Sequence, residues 1–234
     1  MPPPPPLPAR AALLLDLDGT LIDIAPTPDS VVVPPDLPPV LRALRERLGG
    51  ALAIVSGRPV ETIEALLPDT ATAIAGEHGG AVRHSPGAAL DRVDLPELPD
   101  GWAEQGARAV AAHPGALFER KARGFALHYR LAPQARDALE QAARAIVGAA
   151  ATHRVMPGHM VWEVKPRGAD KASAVHAIMS RPPFAGRVPV YLGDDVTDED
   201  GFRAARALGG LGLRVQDIFG DAAGVRAWLA GLAG

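Results

Sequence analysis

Three apolar runs that break off abruptly into polar residues set the frame of this chain. Ala11 to Leu15, Ala51 to Val55 and Val188 to Leu192 are each five residues long with no charged position. Uninterrupted runs of that length predict strands buried on both faces, as in parallel sheets. The segments Leu37 to Leu48, Pro59 to Leu67 and Lys171 to Met179 instead space their apolar residues at helical intervals. Strand alternating with helix predicts an α/β fold, a doubly wound parallel-sheet core. Between residues 81 and 165 the pattern changes. Gly101 to Ala112 reads as helix, two strands come next, then an Ala-rich helix from Pro133 to about Ala150, then two more strands. This stretch predicts an inserted α/β cap domain, leaving 9–80 and 166–234 as the core. Residues 1–8, with five prolines after Met1, predict a disordered or polyproline II tail.

The expected cap strands alternate with a period of two. Phe125, Leu127 and Tyr129 share one face, and His128 and Arg130 share the other. Glu119 pairs in phase with Lys121, and Trp162 and Val164 oppose Glu163 and Lys165. The result is a sheet with an apolar face for helices and a face of mixed charge. On spacing alone, that second face reads as solvated surface.

The polar residues at the end of each core strand carry the chemistry. Ala11 to Leu15 runs into Asp16-Leu17-Asp18-Gly19-Thr20, which starts Asp16 and Asp18 on one side with Leu17 turned away. Gly19 permits a sharp turn and a close approach to a ligand. Two carboxylates at the carboxyl end of a buried strand suit a hard cation and phosphate chemistry. The second strand ends in Ser56-Gly57-Arg58, a hydroxyl and free amides ahead of a helix start, able to hold phosphate oxygens. Lys171 opens a helix, and the strand to Leu192 runs into Gly193-Asp194-Asp195-Val196-Thr197-Asp198. Each piece alone has an ordinary reading as a cap, a solvated charge or an acidic helix start. Their joint order does not.

In that order the chain resembles the haloacid dehalogenase-like phosphatases. The resemblance implies Asp16 as nucleophile, Asp18 as general acid and base, and Ser56 and Lys171 as holders of the phosphoryl group. It implies a magnesium site built from Asp16, Asp18, Asp194 and Asp195. The second Asp of the D-x-D pair points to phosphate ester hydrolysis. Further stretches (Gly76-Glu77-His78-Gly79, Phe125 to Arg130, Glu163 to Gly168, Gly193 to Gly201) are similar to the trehalose-6-phosphate phosphatases. That likeness spans about Leu13 to Gly210 and implies a small-molecule sugar phosphate substrate, trehalose 6-phosphate. It implies Gly57, Arg58 and His78 near the site, and Glu119, Lys121, Arg130 and Glu163 on the sugar. Sibling phosphatases of sucrose phosphate or a mannosyl-phosphoglycerate are the alternative. The chain departs from the family in having Asp170-Lys171-Ala172 where Asn-Lys-Gly is common, and in a short tail after Leu213. Asp170 can cap the helix, and Lys165 is the competing phosphate lysine.

Composition narrows the rest. The chain has 234 residues and a net charge of −3, which gives no nucleic-acid footprint. Cysteine is absent, which excludes disulfides, thiolate metal sites and a cysteine nucleophile. No apolar stretch reaches membrane-spanning length, and the start lacks the basic and apolar segments of a signal peptide. The expectation is a cytoplasmic monomer with no membrane or nucleic-acid partner. A signalling receiver module also combines acidic metal ligands, a hydroxyl and a Lys, but it is about half this length and carries its acidic pair early.

Overall fold

The computed structural model describes residues 3–234. The chain opens with β1 (Ala11–Leu15), α1 (Leu37–Arg47), β2 (Leu52–Val55), α2 (Val60–Leu66), β3 (Ala73–Gly76), β4 (Ala81–Arg83) and β5 (Asp91–Arg92). A middle segment supplies α3 (Trp102–Ala111), β6 (Leu117–Lys121), β7 (Gly124–His128), α4 (Arg136–Val147), β8 (His153–Gly158) and β9 (Val161–Pro166). The chain closes with α5 (Lys171–Met179), β10 (Val188–Gly193), α6 (Asp198–Ala207), β11 (Leu211–Arg214), α7 (Val215–Ile218) and α8 (Ala222–Ala233).

The outer segments form one compact unit, up to Val93 together with Ala169–Gly234, around a seven-stranded sheet ordered β11-β10-β1-β2-β3-β4-β5. β11 to β3 run parallel, and β4 and β5 are antiparallel additions at one edge. Alternation along β1 fixes which helices cover which face. Ala11, Leu13 and Leu15 pack with Leu37 and Leu41 of α1, Ile63 of α2 and Val225 and Leu229 of α8. Ala12 and Leu14 pack with Ala174, Val175 and Ile178 of α5 and Phe202 of α6. Both faces are therefore covered, and the sheet is doubly wound as the apolar runs predict. The strand order reverses beside β1, where neighbours β10 and β2 come from opposite ends of the chain. Open α/β sheets bind ligands at the carboxyl ends of the strands flanking such a reversal.

The second unit, Asp94–Gly168, is a four-stranded antiparallel sheet ordered β6-β7-β9-β8, with α3 and α4 on one face. Phe125, Leu127, Tyr129, Trp162 and Val164 face those helices, as the spacing predicts. The unit begins at Asp94 rather than residue 81, because β4 and β5 pair onto the core sheet and residues 81–92 stay with it. The short tail still supplies a last strand and helix: β11 extends the parallel sheet and α8 packs beside α1. Of the expected disordered residues, Met1 and Pro2 lie outside those described. Pro3 to Pro8 have no regular secondary structure, yet Leu7 packs against the core. Among the described residues, no helix is long and apolar enough to cross a membrane.

Candidate active site

Asp16 directly follows β1 and is buried on the side lined by α5 and α6, while Leu17 joins the opposite cluster. The carboxylate is fixed from two directions. Lys171 Nζ donates to Oδ1 at 2.7 Å, and Thr20 Oγ donates to Oδ2 at 3.3 Å. The turn between them closes on its own backbone, with the amides of Leu21 and Ile22 donating to the Leu17 carbonyl at 2.8 and 3.0 Å. Gly19 adopts a φ of 80°, and a Cβ there would fall 2.2 Å from Asp194 Oδ2. Only glycine satisfies both the backbone and that approach.

Lys171 is buried at the start of α5, where Asp170 caps the helix: its Oδ1 accepts from the Ser173 amide at 2.8 Å. Besides Asp16, Lys171 donates to Asp198 Oδ1 at 2.6 Å. Asp198, fully buried at the first residue of α6, accepts two further hydrogen bonds. Tyr191 donates its hydroxyl to Oδ1 at 2.8 Å, and the Asp195 amide donates to Oδ2 at 3.0 Å. Burial alone would lower Lys171, but the Asp16 and Asp198 carboxylates outweigh it and raise its pKa. It is a fixed ammonium. Burial, then the charge of Asp198, pushes Asp16 well above the usual carboxylate range. Burial, with Asp198 and Asp195 behind it, pushes Asp194 up to about 7.

Carboxylate oxygens of Asp16, Asp194 and Asp198 lie within 4.8 Å of one another. With all three ionised, three carboxylates against one ammonium would leave an excess of two negative charges in a buried place. Burial and this excess push Asp16 and Asp194 up without a cation, and a divalent cation would balance it. Asp194 Oδ1 is buried with no hydrogen-bond partner among the described residues. An unmatched carboxylate oxygen is a costly group unless something electropositive meets it. The donor set is all oxygen, which suits magnesium. The residues present therefore fit that ion. The set differs from the sequence expectation in two members. Asp18 turns away, with Arg58 holding both its oxygens from Nε at 2.7 Å and Nη2 at 2.8 Å. Asp195 spends Oδ1 on the amide of Val196 at 2.7 Å. Asp198 stands in the carboxylate group where Asp195 was expected.

Ser56, Gly57, Arg58 and His78 form one wall. Ser56 is buried, and its Oγ accepts from the Arg58 amide at 3.2 Å. The next loop backs this one: the His78 amide donates to Ser56 O and the Glu77 amide to Arg58 O, both at 3.0 Å. The His78 ring lies so close to Gly57 that a Cβ there would sit 2.5 Å from Nε2. Both Glu77 and His78 hold positive φ, at 55° and 53°. Non-glycine residues in that region cost conformational energy, and here the double backbone contact with residues 56–58 compensates.

The remaining expected residues lie in the second unit. The register places Glu119, Ala126 and Glu163 side by side across β6, β7 and β9. On that face Lys121 pairs with Glu163, and His128 meets Glu119 at 2.8 Å. Arg130 Nη2 donates to the His159 carbonyl at 3.1 Å. Glu163 and Lys165 are buried, so this is not the freely solvated surface that spacing alone suggests. Lys165 belongs to this sheet, whereas Lys171 sits against Asp16. Sequence reasoning missed Asp198, Tyr191 and Thr20. Asp198 stands in the acidic cluster of residues 194–200, and a tyrosine in a buried strand must place its hydroxyl against a partner.

An Asp buried at the end of a central parallel strand, a buried Lys against it and a late acidic cluster on a doubly wound sheet give the chain the layout of a haloacid dehalogenase-like phosphatase. The comparisons narrow the class. Residues 14–220 match the sequence model described as trehalose-phosphatase, and the chain belongs to that family. A protein of Escherichia coli (strain K12) named trehalose-6-phosphate phosphatase is 41% identical over 215 residues, covering 90% of this chain and 79% of that one. A probable trehalose-phosphate phosphatase of Sinorhizobium fredii (strain NBRC 101917 / NGR234) is 43% identical over 205 residues, covering 87% and 77%. The solved C-terminal domain of the C. albicans trehalose-6-phosphate phosphatase superposes with a TM-score of 0.84 at 20% identity, covering 96% of this chain and 93% of that one. This last likeness establishes the fold.

Proposed function

We propose that this chain hydrolyses trehalose 6-phosphate to trehalose and phosphate through an aspartyl-phosphate on Asp16, with magnesium as its cofactor. One observation carries the reading: Asp16, Lys171 and the unmatched oxygen of Asp194 converge where the central strands end. Family membership and the names of the relatives supply the substrate.

In this reading Asp16 attacks phosphorus, a bond forms between its carboxylate oxygen and phosphorus, and the bond to the sugar oxygen breaks. A carboxylate needs no base for this step, and Lys171 and Thr20 hold it in one orientation. Asp18 gives the leaving oxygen its proton, then takes one from the water that opens the aspartyl-phosphate. To do so it leaves Arg58, whose guanidinium is then available to a phosphate oxygen. Ser56 and Lys171 offset charge on the transferring group. Asp16 and Asp194 would hold magnesium, which when bound offsets repulsion between the nucleophile and the phosphate dianion. Asp198, already accepting three hydrogen bonds, serves by keeping Lys171 in place.

Glu119, Lys121, Arg130 and Glu163 bind sugar hydroxyls in this account, and His78 supports the Ser56 loop. The enzyme acts as a cytoplasmic monomer on a small-molecule substrate, in line with a chain free of cysteine. The deciding assay is phosphate release across trehalose, sucrose, glucose and mannosyl-glycerate phosphates with magnesium present. Preference for trehalose 6-phosphate supports the reading, and preference for another ester overturns it.

A further inference from the structure

The turn that presents Asp18 and Thr20 is held at its exit by a residue from the far end of the chain. Arg226, in the second turn of α8, donates from Nη1 to the Leu21 carbonyl at 3.2 Å and from Nη2 to Asp23 Oδ2 at 3.2 Å. Its side chain is 17% exposed, so the guanidinium is largely committed to these two contacts. The helix carrying it is anchored along its length. Asp221 caps its start by accepting from the Gly224 amide at 2.9 Å, and Val225 and Leu229 are buried in the cluster that contains Leu13, Leu15 and Leu17. Near its end, Arg47 Nη1 donates to the Leu232 carbonyl at 2.7 Å. The stretch that matches the family stops at residue 220, before this helix begins.

We propose that Arg226 is a positioning residue for the reaction, acting through the Leu21 carbonyl and Asp23. The internal bonds of the turn all return to Leu17 or join Gly19 to Ile22, so they set its shape but not its exit direction. Arg226 supplies that second point of fixation from a helix seated on the core. Thr20, one residue before the clamped carbonyl, orients Asp16, and Asp18 lies three residues before it. Slack at Leu21 therefore reaches both reacting carboxylates. Misplacement by about 1 Å costs a reaction roughly 10²-fold, while substrate affinity depends little on it. Loss of the clamp thus lowers turnover rather than binding.

The kinetic arm rests on the phosphatase reading, whereas the exchange arm does not. Arg226→Met keeps the buried stem and removes both contacts, Arg226→Lys keeps one donor, and Arg47→Met loosens α8 at its other end without touching the turn. The readouts are kcat and KM for magnesium-dependent phosphate release and amide hydrogen exchange at Leu21, Ile22 and along α8. Expected for Arg226→Met is a kcat lower by roughly ten-fold at KM within about two-fold, partial recovery in Arg226→Lys, and near-normal kcat in Arg47→Met. Exchange at Leu21 and Ile22 should quicken while α8 stays protected. An unchanged kcat in Arg226→Met, equal losses in Arg226→Met and Arg47→Met, or faster exchange spread along α8 would each overturn the proposal. Should Arg226→Met not fold, Asp23→Ala removes only the exposed half of the clamp and must still lower kcat and quicken exchange at Leu21. A wild-type protein inactive on trehalose 6-phosphate refutes the phosphatase reading and leaves the exchange measurements to decide the clamp.

Discussion

Among the charged residues of the core site, Lys171 holds Asp16 and Asp198 at once, and Asp198 and Asp194 differ in what remains open to them. Asp198, engaged by Lys171, Tyr191 and a backbone amide, is a fixed counter-charge, whereas Asp194 keeps an oxygen open. The place of Asp16 was legible in the sequence because position along a strand fixes where its side chain starts. The turn of Asp18 toward Arg58 was not, and Lys171 was set above Lys165 only by the family resemblance. That Asp194 is joined beside Asp16 by Asp198 rather than Asp195 was not legible, because that depends on how the first turn of α6 rolls against β10. Asp16→Asn should fold normally, seen as an unchanged far-ultraviolet spectrum, and lose at least ~10³-fold in turnover, since an amide cannot form the phospho-enzyme. Near-normal turnover by that protein rules out the covalent route. Magnesium should raise the melting temperature of the wild type by mass action and leave Asp194→Asn almost unmoved, because that variant lacks the open carboxylate. Calcium should not restore activity after chelation, since it recruits more oxygens and draws Asp16 out of line. Equal rates with the two ions, or full activity in excess chelator, would contradict this.

The elements followed from period and caps wherever a single strand or helix determined its own neighbours. β1 sends odd residues to one core cluster and even residues to the other, as an uninterrupted apolar run requires. Asp170 caps α5 as its place before the helix suggested, and Asp170→Ala should cost about 1 kcal/mol in chemical denaturation. β4 and β5 were not separable from the cap, because two or three residues carry no period and only their pairing partner assigns them. The charged face of the second sheet shows the same limit: spacing gave its members, and only register gave their pairing. There, burial would raise Glu119, but the hydrogen bond from His128, then the charges of Lys121 and His128, hold its pKa below the ordinary value of 4.5. An unfolded chain thus takes up that proton first as pH falls. The stability Glu119 contributes is complete above about pH 4.5 and fades as pH drops through its lower folded value. Thermal unfolding from pH 6 downward should show Glu119→Gln losing less of its melting temperature in that window than the wild type does. Parallel loss in both proteins would mean that the pairing with His128 carries no acid-sensitive stability.

At the scale of the molecule, Asp16, Lys171 and the open carboxylate of Asp194 all sit in the unit built from both ends of the chain. The residues assigned to the sugar sit in the unit built from the middle. An insertion of this kind was legible as a break in the strand and helix rhythm, because each unit closes its own core and imposes its own periodicity. The division of chemistry has a measurable consequence. Hydrogen bonds from charged groups to hydroxyls contribute roughly 1.5–3 kcal/mol each, about ten- to a hundred-fold in selection per contact. A small aryl phosphate has no sugar hydroxyls to engage them, yet it needs the same Asp16, Asp18 and Lys171. Lys121→Ala and Glu163→Ala should therefore reduce kcat/KM strongly for trehalose 6-phosphate and leave p-nitrophenyl phosphate hydrolysis near its original rate. Because Lys121 and Glu163 pair with each other, the double variant should lose less than the sum of the two single losses. Equal proportional losses on both substrates would assign the pair to maintaining the sheet. No loss on either would return the charged face to plain surface and leave trehalose recognition to residues of the first unit.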